Sequence, residues 1–156
     1  MSRLSVPVPL RWADLDAYGH VNNVESLRLL EEARIAAFWK HPVEEGGSLP
    51  TAVLDAGPTA TTHTVVARTE VEYLRPIGYQ REPVEVEMWI GHLGGASIDI
   101  CYRILVGPTR EAHVQAISTL VVVDATTGAP RRISPQERAA WEPYVEELLT
   151  LRRPRR

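Results

Sequence analysis

The sequence predicts an α+β domain in which one long apolar helix is buried by one curved antiparallel sheet. Two observations carry that prediction. Apolar and polar residues alternate with period two in several separate runs, the mark of half-buried strands, whereas Val24 to Lys40 repeats its apolar residues at helical spacing. The runs also follow one another through short glycine-containing connections, as hairpins do.

Taken in order, Val6, Val8, Leu10 and Trp12 alternate with Pro7, Pro9 and Arg11, which predicts a strand from Val6 to Trp12 and, because of the prolines, an edge strand. In Val24 to Lys40, Leu29, Leu30, Ala33, Ala36 and Ala37 share a face that Leu27, Ile35, Phe38 and Trp39 widen, so the helix needs cover on several sides. His41-Pro42 is expected to end it, since proline disfavours helical geometry in the residue before it. Residues 43 to 63, rich in glycine, proline and threonine, read as a long connection with a short strand at Thr51 to Leu54.

Four strands follow, from Val65 to Leu74, Val84 to Ile90, Ser97 to Val106 and Ala112 to Asp124. The first is expected to set Val65, Ala67, Val71 and Tyr73 on one face against Arg68, Glu70 and Glu72. Gly94-Gly95 and Gly107-Pro108 link the last three as hairpins. Ser134-Pro135-Gln136-Glu137 then combines a capping box with proline at the first helical position, predicting a terminal amphipathic helix over about 134 to 150, broken near Pro143.

These elements fill one domain over residues 1 to 156, with a core from about 5 to 125 and a basic tail at 152 to 156. A chain of 156 residues with 44% hydrophobic content is long enough for one real core. A formal charge of -3 supplies no overall basic field for nucleic acid, and no run is long and apolar enough for a membrane span. Cys101 is the sole cysteine, which excludes an intrachain disulfide and a cysteine-rich zinc site. With no signal-like apolar run in MSRLSVPVPL, a cytoplasmic setting is expected.

The stretch DLDAYGHVNNVE, Asp14 to Glu25, carries the chemistry. Numbered as a calcium loop it offers Asp14, Asp16, Gly19, Asn22 and Glu25, but a proline-bearing strand stands where the entering helix belongs and Tyr18 occupies a ligand position. No metal site is therefore expected. Numbered as a catalytic turn it offers a carboxylate at Asp16, a glycine that lets a substrate approach the backbone, and a helix start with unpaired amides to polarise a carbonyl. Asp14 reads as a capping residue, and His20 fits a substrate-orienting role and a turn-bracing one equally well.

The run RWADLDAYGHVNNVESLRLLEEAR, followed by VEYLRPIGYQREPVEVEMWIG and a Gly-Gly-Ala-Ser turn, resembles the hotdog-fold acyl-CoA thioesterases of the 4-hydroxybenzoyl-CoA thioesterase type, closest to their long-chain branch. The resemblance covers roughly residues 5 to 125. It implies a hotdog fold, a long helix wrapped by a five-stranded antiparallel sheet, with a short C-terminal helix added here. It implies hydrolysis of an acyl-CoA to a carboxylic acid and coenzyme A, which is substrate rather than cofactor. The family's catalytic aspartate falls on Asp16, as nucleophile or general base, and its polarising amide on Asn23. Gly19, His20, Val21 and Asn22 shape the turn against the substrate, and Ser97, at a strand start beside the glycine turn, is a further pocket candidate. A homodimer or homotetramer with active sites at the dimer interface is implied as well.

Other residues have plainer readings. Arg68, Arg75, Arg81 and Arg110 are candidates for the coenzyme A phosphates, while His41, His63, His92 and His113 show no metal spacing. Glu31, Glu32 and Arg34 read as helix ion pairs, Cys101 as an inert strand residue, and Trp12, Phe38, Trp39 and Trp89 as core with acyl-lining as the alternative. The rival functions are a hydratase or dehydratase on the same fold, with His20 as acid-base partner, and a non-catalytic acyl-binding module.

Overall fold

The computed structural model describes residues 2–41 and 49–152. Among these, β1 (Leu4–Val8), β2 (Thr62–Tyr73), β3 (Val84–Leu93), β4 (Ser97–Val106) and β5 (Glu111–Asp124) form one antiparallel sheet in the spatial order β1-β3-β4-β5-β2. The helix α1 (Asn23–Phe38) lies across one face, and a short α2 (Pro135–Trp141) follows the sheet. This is the hotdog architecture.

Alternation explains the sheet's inner face. Val84, Val86, Met88 and Ile90 of β3 and Ile98, Ile100, Tyr102 and Ile104 of β4 are all buried, and Val114, Ala116, Leu120 and Val122 continue the layer on β5. Against them α1 turns Leu29, Leu30, Ala33, Ala37 and Phe38. The alanines let the helix approach the sheet closely, and each larger side chain removed from water adds roughly 1.5–3 kcal/mol of burial free energy. The helix packs chiefly over β1 and β3. It therefore leaves β2 thinly covered.

The first strand stops at Val8, so Leu10 to Trp12 lie beyond it and Trp12 begins a 3-10 turn (Trp12–Asp14). Trp12 is exposed and meets Tyr79 edge to face at 4.7 Å, which removes it from the core. α1 likewise ends earlier than expected. Trp39 is already extended and bridges Leu54, so Thr51 to Leu54 supplies one isolated bridge where a strand was expected, and Pro42 lies outside the described residues.

The largest correction concerns the faces of β2. Its register against β5 shifts between Val66 and Arg68, a bulge that inserts Ala67. Before the bulge Thr64 and Val66 share the inner face with Val122 and Leu120; after it Thr69, Val71 and Tyr73 do so with Ser118, Ala116 and Val114. Val65 consequently points outward, away from Val71 and Tyr73. A one-residue insertion reverses every side chain beyond it.

The capping box forms as expected, with Ser134 Oγ accepting from Glu137 N at 3.1 Å and Glu137 Oε1 from Ser134 N at 2.7 Å. The helix it starts ends at Trp141, however, where Pro143 lies within a 3-10 turn (Glu142–Tyr144). Residues expected to be helical then run extended as a strap over the sheet's outer face. Glu146 N donates to Ile90 O at 2.9 Å, Trp89 Nε1 donates to Glu147 O at 2.9 Å, and Leu149 packs with Trp89 and Cys101. Gly91 eases this approach, because a Cβ there would stand 2.8 Å from Cys101 Sγ and 3.1 Å from the Leu148 Cα. Burial pushes the Cys101 thiol up, in keeping with an inert residue. No helix among the described residues is long and apolar enough to cross a membrane.

Candidate active site

The loop between β1 and α1 folds on itself before it reaches the helix. Asp16 N donates to His20 O at 2.8 Å and Gly19 N to Asp16 O at 3.1 Å, while Leu15 bridges Val21. So tight a return needs a left-handed residue, and Gly19 supplies it with φ +77°. Asp16 also braces the turn through one oxygen, Oδ1, which accepts from Tyr18 N at 2.8 Å and His20 N at 3.2 Å. Its Oδ2 has no hydrogen-bond partner among the described residues.

The loop's far side is fixed by the chain after β2. Val21 N donates to Ile77 O at 2.7 Å and His20 bridges Gly78. Asn22 then starts α1 as its N-cap, with Oδ1 accepting from Val24 N at 3.0 Å. Asn23 is the first helical residue, so its amide has no acceptor within the helix, and no described residue supplies one. Its carbonyl instead accepts from Tyr73 Oη at 3.1 Å.

These pieces enclose a cleft of about 420 Å³ walled by Asp16, His20, Val21 and Asn23 on one side and by Tyr73 to Ile77 on the other. Asp16 and Asn23 are thus brought together, with His20 and Val21 beside them. Gly19 and Asn22 act through backbone shape and capping. Ser97 is not in this cleft; it pairs with Val121 at the other end of β4. Of the four candidate arginines, Arg75 alone reaches it, an exposed side chain paired with Glu111 at 3.0 Å. Arg68 and Arg110 are paired with Glu70 and Glu85 elsewhere on the surface.

Asp14 has a different task from the one its position suggested. It is fully buried and does not cap α1; Arg11 and Arg28 clamp both its oxygens, at 2.9 to 3.0 Å through their guanidinium groups, and Arg11 N adds a bond of 2.7 Å. Burial alone pushes the Asp14 carboxyl up, but the bonds from Arg11 and Arg28 outweigh it and hold the group below its ordinary value. With both oxygens so engaged, the first ligand of a calcium loop is already taken. From sequence, Tyr73 reads only as an alternating strand residue. Its face is the expected one, but no local pattern announces that its hydroxyl meets Asn23, fifty residues away.

The sheet, its buried helix and this loop at the helix start define a hotdog protein. A family model described as the thioesterase-like superfamily matches residues 10–146, and the chain belongs to that superfamily. Among solved structures it is similar to a thioesterase complexed with coenzyme A and zinc from Thermus thermophilus, at 31% identity over 87% of this chain and 94% of that one, TM-score 0.65. It is also similar to the thioesterase candidate PA2801 of Pseudomonas aeruginosa, at 29% identity over 87% and 95% of the two chains, TM-score 0.70. The DHNA-CoA thioesterase of Staphylococcus aureus shares the fold at 18% identity, covering 92% and 91%, TM-score 0.70. No curated protein sequence matches the chain.

Proposed function

We propose that the protein is an acyl-CoA thioesterase in which Asp16 carries the chemistry and the Asn23 amide polarises the thioester carbonyl. One observation carries this reading: Asp16 keeps one oxygen free in a cleft whose adjoining wall is a helix start with an unpaired amide. A carbonyl oxygen seated there receives the Asn23 N–H and the positive end of the α1 dipole, which favour the charge that develops as the carbonyl turns tetrahedral. Asp16 Oδ2 either attacks that carbon, forming an acyl anhydride that water then opens, or takes a proton from the attacking water. In both cases the carbon–sulfur bond breaks and coenzyme A leaves as the thiol.

Arg75 is the cation at the cleft, suited to a coenzyme A phosphate. β2 is an uncovered, proline-free edge of twelve residues, and with Val66 and Tyr73 exposed on its inner face it suits a second copy of the chain, so that the cleft is completed in a dimer. The long-chain branch rests on the resemblance carried by RWADLDAYGHVNNVESLRLLEEAR, and a cytoplasmic setting on Cys101 being the sole cysteine. For the hydratase reading, the His20 ring makes no hydrogen bond to Asp16, which is held by the His20 backbone amide instead.

The test is thiol release from short, long and aromatic acyl-CoAs by the parent and by Asp16→Asn. Asparagine keeps a carbonyl oxygen for the two turn amides, so the variant should melt like the parent while turnover falls by about a hundredfold or more. Equal activity in the variant, or no turnover of any acyl-CoA by the parent, defeats the reading.

A further inference from the structure

The cleft at Asp16 does not stand alone. Because α1 leans toward β1 and β3, a groove opens between α1 and β2, and two more cavities occupy it beyond the cleft. A small one of about 160 Å³ lies among Leu27, Leu30, Thr69 and Ser118, and a larger one of about 460 Å³ among Ile35, Trp39, Val66 and Leu120. Glu31, Arg34 and Val66 line both. The three cavities follow one another down the same two elements, from Asn23 and Tyr73 to Arg34 and Val66.

Arg34 is out of place in that groove. It is only 9% exposed, and its Nε is buried with no hydrogen-bond partner among the described residues. One terminal nitrogen donates to the buried Tyr102 Oη at 3.2 Å, a neutral partner, and the other stands 3.8 Å from Glu31, whose side chain is 60% exposed. Nearby, Ser118 and Thr69 share a hydrogen bond of 3.0 Å, so the polar patch extends across to β2. A buried guanidinium is costly unless its donors are satisfied, and here the mostly exposed Glu31 carboxylate meets one terminal nitrogen at 3.8 Å while Nε stays without a partner among the described residues. It stands where the small cavity meets the larger one, among apolar side chains, and its unpartnered Nε suits an anion brought there by a ligand.

Resting on the thioesterase reading above, we propose that the α1–β2 groove holds the acyl chain and that Arg34 binds a carboxylate at the far end of that chain. The substrate class is thus ω-carboxyacyl-CoA, the thioester of a dicarboxylic acid. The eleven helical steps from Asn23 to Arg34 correspond to about 16 Å of helix. A medium-length chain spans that distance, and a short or single-ring acyl group does not. Leu27, Leu30 and Val66 supply apolar contacts along the way, and the guanidinium forks onto the chain's terminal carboxylate.

The experiment compares medium-chain thioether analogues of acyl-CoA, which cannot be hydrolysed, ending in a carboxylate or a methyl group. Binding and, for the matching thioesters, kcat/KM are measured on the parent, Arg34→Met, Arg34→Lys and Tyr102→Phe, with melting followed alongside. The parent should favour the carboxylate end by at least about tenfold in both readouts, the scale of one charged hydrogen bond. Arg34→Met should erase or invert that ratio, and Arg34→Lys should keep part of it. Equal ratios in parent and Arg34→Met, or a parent that prefers the methyl end, overturn the inference while hydrolysis leaves the thioesterase reading intact. If neither analogue binds and neither thioester turns over, the inference is overturned, and the thioesterase reading falls with it only if the short, long and aromatic thioesters are not hydrolysed either. Should Arg34→Met not fold, an undiminished carboxylate preference in both Arg34→Lys and Tyr102→Phe overturns it.

Discussion

Asp14 and Asp16 stand two residues apart on one loop, and the fold uses them in opposite ways. Asp14 is fully buried, with both oxygens bound by Arg11 and Arg28, and so ties the loop to α1. Asp16 is half-buried, spends one oxygen on the amides of Tyr18 and His20, and keeps the other toward the cleft. The difference teaches that a carboxylate without a cationic partner, held by backbone amides alone, keeps an oxygen open to the cleft. The saturated neighbour fixes where it stands.

That contrast can be broken or sharpened. The largest effect expected is the hundredfold or greater loss of thioesterase turnover in Asp16→Asn at unchanged melting temperature; a loss of stability that matches the loss of activity would make Asp16 a second structural residue. Asp14→Ala should do the reverse. Removing a fully buried acceptor leaves the Arg11 amide and two guanidinium groups without their partner, and denaturant unfolding should show a loss of about 1–3 kcal/mol. Both arginines reach solvent, which keeps the figure below that of a fully buried ion pair.

A smaller effect follows from the lowered Asp14 carboxyl. Since the folded state binds its proton less readily than the unfolded chain, the stabilisation is present above the ordinary carboxylate value of about 4 and is lost as pH falls through the lower folded one. Thermal melts of the parent should therefore fall across that acid range. In Asp14→Asn that part of the fall should vanish, and an identical acid limb in the two proteins would show that the clamp contributes nothing. The smallest effect expected is for Asn22→Ala, which removes the cap of α1 but neither aspartate, at about 1 kcal/mol of stability. If turnover falls far more than that cost explains, the helix start is positioned by Asn22 as well as by the Asp14 clamp.

Much of this was legible in the chain. The alternation of β3 and β4 gave their buried faces correctly, the Gly94-Gly95 and Gly107-Pro108 connections are turns between hairpin strands, and Ser134 to Glu137 cap a helix. The grouping of Asp16, His20, Val21 and Asn23 was legible too, because a turn and a helix start bring near neighbours together. Less legible were the contact of Tyr73 with Asn23, fifty residues away, which of the four candidate arginines reaches the cleft, and how deeply Arg34 is buried beside its ion-pair partner Glu31.

What the sequence by itself determined was therefore local: where hydrogen bonds between near neighbours and the side-chain period dictate structure, residue types suffice. The tertiary structure decided the rest. It placed the bulge that turns Val66 inward in place of Val65, laid the chain after Tyr144 over Gly91 as a strap, and leaned α1 away from β2 so that a groove remains. Each of these depends on which distant surfaces meet, and the free energy of that meeting resides in packing that no single segment contains.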